Sequence, residues 1–143
     1  MIYQAEKQDI PAVASLAAQL FGDTAEKLAE EFNLLMSSKG CAVFLLSMDG
    51  RPAGFAQCQL RHDYVEGTDT SPVGYLEGIY VLPEYRTHGC ARELLAQCEQ
   101  WAKAQGCTEF ASDCELDNGG SLAFHLKMGF TEANRIICFT KKL

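Results

Sequence analysis

Two carboxylates stand where an acid needs a reason. Glu77 lies in the run Leu76-Glu77-Gly78-Ile79, and a lone charge among apolar residues faces either solvent or a partner that repays its burial. Strand alternation permits the solvent-facing alternative. Asp113 opens Asp113-Cys114-Glu115-Leu116-Asp117 at the carboxyl end of a predicted strand, which is where open sheets with crossover helices bind ligands. Within that run Glu115 reads as a solvated loop residue, and Asp117 either reaches a ligand or caps the next helix. Paired acids of this kind suit an amine. An alkylammonium, with a pKa of about 10.4, has no free lone pair, and a carboxylate near pKa ~4 is a weak direct base for it. Its better use is to orient the amine and pass its proton to water. Tyr64, before the acidic turn at 66–69, either stacks on such a ligand or is a half-buried hairpin aromatic.

A second cluster suits an anion. Arg86-Thr87-His88-Gly89-Cys90-Ala91 follows Pro83 and opens an amphipathic helix. The first N–H groups of a helix are unpaired and its dipole favours negative charge there, so a phosphate fits, with Arg86 and Arg92 adding charge-assisted contacts. In this reading Gly89 lets the ligand approach the backbone; a tight turn with solvated arginines is the competing one. Cys90 and Cys114 invite a covalent mechanism, but neither has a neighbouring base that the sequence identifies.

These residues need a sheet and helices to hold them. The patterning predicts strands at 2–5, 41–48, 53–60, 75–82, 108–113 and 136–140, with Asp49-Gly50 as a hairpin turn. Helices are predicted from Asp9 with Pro11 in the first turn, from Asp23 or Thr24, over 89–105 with Gly106 as terminator, and over 121–128. The strand–helix–strand unit over 75–113 calls for a right-handed parallel crossover. The hairpin beside it makes the sheet mixed. The fold class is therefore α+β, close to α/β, in one domain over 1–143.

At 143 residues, 48% hydrophobic and 22% charged, the chain has the composition of a folded globular domain and not of a disordered one. Its net charge of −7 argues against nucleic acid or an anionic membrane as partner. No run approaches a membrane span, and no secretory signal is recognised at the start. The seven cysteines are scattered with no CxxC or Cys/His spacing, which predicts no zinc or other metal site and a reducing, cytoplasmic location.

The turn and the segment after it carry a resemblance. R-x-x-G-x-A between a strand and an amphipathic helix, followed by Asn118, His125 and Gly129-Phe130, resembles the GNAT superfamily of N-acetyltransferases over about residues 41–139. More narrowly, YVEGTDTSPVGYLEGIYVLPEYR and TEFASDCELDN resemble the aminoglycoside 6'-N-acetyltransferases. The resemblance implies a mixed, mostly antiparallel sheet with a splayed strand pair and helices on both faces. It implies acetyl-CoA as cosubstrate, bound by the turn from Arg86 to Ala91, by the backbones of Ile79, Tyr80 and Val81, and by Asn118. It implies direct transfer of acetyl to the 6'-amine of an aminoglycoside held by Tyr64, Glu77, Asp113 and Asp117, with Glu77 and Asp113 catalytic, and a homodimer. Two positions depart from the pattern. Ser121 replaces an alanine, and His125 stands where these enzymes commonly have the tyrosine that protonates the leaving thiolate. His125 either takes that role or packs the helix. A GNAT enzyme for another amine, such as a polyamine or a protein N-terminus, and a non-catalytic acyl-CoA sensor are the alternatives.

Overall fold

The computed structural model describes residues 1–143. Five strands form one sheet in sequence order: β1 Ile2–Gln4, β2 Cys41–Met48, β3 Arg51–Arg61, β4 Val73–Val81 and β5 Phe110–Ser112. The first four are antiparallel neighbours, and β4 and β5 are parallel. Asp49 and Gly50 both have positive φ, 52° and 75°, the backbone that a two-residue β2–β3 hairpin demands and that Asp-Gly tolerates.

Helices α1 Ile10–Phe21 and α2 Ala25–Leu35 cover one face, and α3 Cys90–Ala104 covers the other, where Phe124 of α4 Gly119–Lys127 also packs. Val13, Leu16, Leu28 and Phe32 meet Val43, Leu45 and Phe55 on the first face. Leu94, Leu95 and Cys98 meet Phe44, Leu46, Cys58 and Leu76 on the second. Neighbouring residues of β2 thus feed opposite cores, which is why that strand reads as a continuous apolar run. Thr24 caps α2 by accepting from the Lys27 N–H at 3.3 Å. Asp9 precedes α1 as expected, but its side chain turns back to the Glu6 N–H and the Tyr3 hydroxyl.

Two irregularities shape the site. The β3–β4 register pairs Gln57 with Gly78 and Cys58 with Leu76, so Glu77 is the extra residue of a β-bulge. A bulge bends its strand and re-aims a side chain. The parallel pairing of β4 with β5 stops at Leu76 opposite Ser112, whereas β4 continues to Val81. The two strands therefore splay, leaving one edge of β4 without a strand partner from Glu77 onward.

The strand expected at 136–140 is not formed. Residues 131–143 have no regular secondary structure, and Ile136, Ile137 and Phe139 are 69%, 80% and 87% exposed. A strand needs a neighbour to satisfy its backbone. Within this chain the outer edge of β5 stays unpaired.

Candidate acyl-transfer site

The bulge places Glu77 on the face covered by α1 and α2. There it lines a cavity of about 290 Å³ with Asp23, Glu31, Gln57 and the apolar side chains of Phe21, Leu28, Phe32 and Leu35. The next residue, Gly78, lets α1 approach closely: a Cβ there would lie 2.9 Å from Phe21 Cζ and 3.3 Å from Leu20 Cδ2. The end of α1 thus closes over the bulge and walls the cavity.

Glu77 is not left alone. Arg61, the last residue of β3, donates from Nε to Oε1 and from Nη2 to Oε2, both at 3.0 Å. Its guanidinium also lies over the Tyr75 ring, 3.4 Å from the centroid. The Tyr75 hydroxyl donates to Asp113 Oδ2 at 2.5 Å. Glu77 and Asp113 are therefore joined through Arg61 and Tyr75 across the splay between β4 and β5. Burial pushes the Glu77 carboxyl above the usual glutamate range, and the hydrogen bonds and charge of Arg61 pull it back only in part. Burial, and then the bond to Asp113, raises the Tyr75 hydroxyl, which stays a donor at neutral pH.

Of the other residues named from sequence, Asp117 does not cap α4. Asn118 does, its Oδ1 accepting from the Ser121 N–H at 3.1 Å, while Asp117 lies exposed in the preceding turn. Tyr64 is 77% exposed in the β3–β4 connection, not half-buried. That connection is held by Glu109, which accepts from the Asp69 and Thr70 N–H groups and the Thr70 hydroxyl. These bonds, the Thr70 hydroxyl foremost, hold Glu109 below the usual glutamate range.

The turn before α3 has the geometry an anion needs. Thr87 and Gly89 both adopt left-handed φ, 67° and 79°, and Gly89 precedes the helix without a side-chain cap. The first N–H groups of a fifteen-residue helix are thus open to solvent-borne charge. A Cβ on Gly89 would meet no protein atom within 4 Å, so what the protein itself requires of this glycine is its φ. Arg86 donates from Nε to the Val81 carbonyl at 2.8 Å, tying the turn to β4. His88 is exposed, with Nδ1 2.8 Å from the Arg86 carbonyl. Cys90 is buried in the core beneath α3, and Cys114 is exposed. Leu82 donates to Ala53 in β3, so by alternation Tyr80 also turns its backbone toward β3. Ile79 and Val81 then face the open edge, where the Arg86 contact to Val81 lies.

His125 is fixed at both ring nitrogens: Nδ1 is 2.7 Å from the Ser121 carbonyl and Nε2 is 2.8 Å from Ser112 Oγ. With Phe124 and Phe130 edge-on around it, the ring ties α4 to the end of β5.

Arg61, Tyr75, Asp23, Glu31 and Gln57 were not singled out from sequence. Arg61 and Tyr75 are fourteen positions apart, and only the β3–β4 register brings their side chains together. Asp23 reads in sequence as one of two residues that could start a helix.

The match to known proteins bears on this geometry directly. Residues 9–130 match the model of the acetyltransferase (GNAT) family. The chain belongs to that family. It is 42% identical over 128 residues to an aminoglycoside N(6')-acetyltransferase type 1 of Acinetobacter haemolyticus, covering 90% of this chain and 88% of that one. It is 39% identical over 142 residues to the enzyme of the same name from Stenotrophomonas maltophilia, covering 99% and 93%. Among solved structures, AAC(6')-Iy in complex with the bisubstrate analogue CoA-S-monomethyl-acetylneamine matches with a TM-score of 0.95 at 36% identity, over 100% of this chain and 98% of that one. The GNAT fold, with its splayed central strands, is thus the fold of this chain. Acetyl-CoA is the cosubstrate of this family. The open edge of β4 and the uncapped start of α3 lie together, as an extended thioester with a diphosphate requires. No group of three or more His, Cys, Asp or Glu side chains is arranged to hold a metal ion.

Proposed function

We propose that this protein transfers the acetyl group of acetyl-CoA to the 6'-amine of aminoglycosides and so confers resistance to them. The observation that carries the reading is the pairing of Glu77 and Asp113 at the strand splay, in a chain 36–42% identical over nearly its full length to enzymes named for that reaction. Acetyl-CoA supplies the thioester that the amine attacks. The N–H groups at the start of α3 hold the diphosphate, with Arg86, Thr87, His88, Gly89, Cys90 and Ala91 forming the turn. Ile79 and Val81 offer backbone donors to the acyl arm; such donors stabilise charge developing on a carbonyl oxygen. Asn118 supports the arm by capping α4.

Glu77 and Asp113 fix the ammonium groups of the drug and orient the reacting amine, whose proton leaves through water. Asp23, Glu31 and Asp117 extend the acidic surface, and exposed Tyr64 offers a stacking face to a sugar. His125 acts as a tie between α4 and β5, because both of its nitrogens are already engaged. In this reading transfer is direct, without an acyl-enzyme: Cys90 is buried in the core, and the exposed Cys114 has no hydrogen-bonded base to activate it.

We place the protein in the cytoplasm, in keeping with its seven unpaired thiols and with the absence of any helix long and apolar enough to cross a membrane. The open edge of β5 and the exposed apolar tail support a homodimer. The deciding experiment is thiol release from acetyl-CoA across a panel of amines. Turnover with 6'-amino aminoglycosides, and none with polyamines or peptide N-termini, is expected. A preference for polyamines or peptides would replace this reading with that of a GNAT enzyme for another amine, and acetyl-CoA binding without any turnover would make the protein a sensor.

A further inference from the structure

We propose that Arg61 is the positioning residue of the acceptor groove, clamping Glu77 with its guanidinium edge while its face lies on Tyr75, whose hydroxyl holds Asp113. The proposal rests on the acceptor reading above and names the part that sets the two acids relative to each other. Three observations carry it. The guanidinium makes a forked pair of bonds to Glu77, with Nη2 also 2.9 Å from Oε1, which fixes a rotamer that a single contact would leave free. Its 3.4 Å approach to the Tyr75 centroid makes Tyr75 a rigid floor under the pair. The same tyrosine reaches the second acid. One cation therefore organises two carboxylates and leaves the group with a net charge of −1, still attractive to an ammonium.

Arg61 is the cation that faces Glu77. From β4 the group is met by Tyr75, from the end of β5 by Asp113, from α2 by Glu31 and from the α1–α2 turn by Asp23. Burial and the charge of Asp113 disfavour ionised Glu77, the acids Glu31 and Asp23 add like charge, and Tyr75 is neutral, so only Arg61 favours the carboxylate. Removing Arg61 must therefore make Glu77 hold its proton to higher pH. Lysine keeps the charge but has neither the planar fork nor the stacking face.

The test compares wild type, Arg61→Gln and Arg61→Lys in steady-state acetylation of a 6'-amino aminoglycoside, with pH profiles and acetyl-CoA affinity by calorimetry. For Arg61→Gln, kcat should fall about ten- to hundredfold, as expected for a displaced orienting group. The acid limb of kcat/KM should move to higher pH, and acetyl-CoA affinity should stay as in wild type. For Arg61→Lys, the limb should return toward wild type while kcat stays low. An Arg61→Gln variant with wild-type kcat and limb overturns the proposal, and so does full recovery of kcat by lysine. If Arg61→Gln fails to bind acetyl-CoA, the kcat of Arg61→Lys decides alone. A wild type that acetylates no 6'-amine overturns the acceptor reading and the proposal with it, whereas wild-type turnover with indifferent variants overturns the proposal only.

Discussion

Glu77 owes its place to one extra residue in β4, and Gly78 to the side chains that close over it. Gly78→Ala drives a methyl into Phe21 Cζ at 2.9 Å. Phe21 Cζ is the free end of a side chain that is 47% exposed, so the ring swings aside at a cost below about 1 kcal/mol in urea denaturation, and its movement should open the cavity wall. Asp113→Asn keeps the bond from Tyr75 but loses the charge. We expect kcat/KM for the drug to fall about tenfold or more, equivalent to roughly 1.4 kcal/mol or more of transition-state stabilisation, with acetyl-CoA affinity unchanged by calorimetry. Because burial raises the native pKa of Glu77, the native state holds this proton to higher pH than the unfolded chain does. Its contribution to stability is complete below the ordinary glutamate range and is lost as pH rises through the raised value. Urea denaturation of wild type and Glu77→Gln should show the wild type losing ground to the variant as pH rises above the ordinary glutamate value of about 4.3. A constant difference would contradict the assigned environment.

At the scale of elements, most of the scaffold was readable because its signals are local. Asp49-Gly50, Pro11 in the first turn of α1, Thr24 before α2 and the glycine after α3 each act within a few residues of themselves. The crossover from β4 through α3 to β5 followed from chain geometry alone. What stayed hidden depends on register. No periodicity shows that Glu77 is the bulged residue, or that Arg61 and Tyr75 meet between Glu77 and Asp113. Gly78, a glycine inside an apolar strand, lies next to the bulged residue and beneath the side chains of Leu20 and Phe21. Of the two alternatives for Asp117, the cap falls to its neighbour Asn118, since aspartate and asparagine are equally good caps by type. The turn before α3 yields its own test. Gly89→Ala introduces a Cβ at φ 79°, worth about 1–2 kcal/mol of strain, and should weaken acetyl-CoA binding by calorimetry through the displaced N–H groups.

At the scale of the whole molecule, an acidic chain and an apolar tail make separate demands. A net charge of −7 draws a polycation in and is screened by salt. The KM for the aminoglycoside should therefore rise with ionic strength far more than that for anionic acetyl-CoA. The tail pattern at 136–140 looks like a strand because its residues suit one, but which chain supplies the partner is not written in the pattern. Sedimentation should give a dimer for wild type and a monomer for the double variant Ile137→Asp/Phe139→Asp. The most direct test of the account is a crystal structure with CoA and a 6'-amino aminoglycoside bound together. We predict the diphosphate on the N–H groups of Cys90 and Ala91, and the 6'-amine against Glu77 and Asp113. CoA lodged away from the start of α3, or the amine far from both acids, would contradict it.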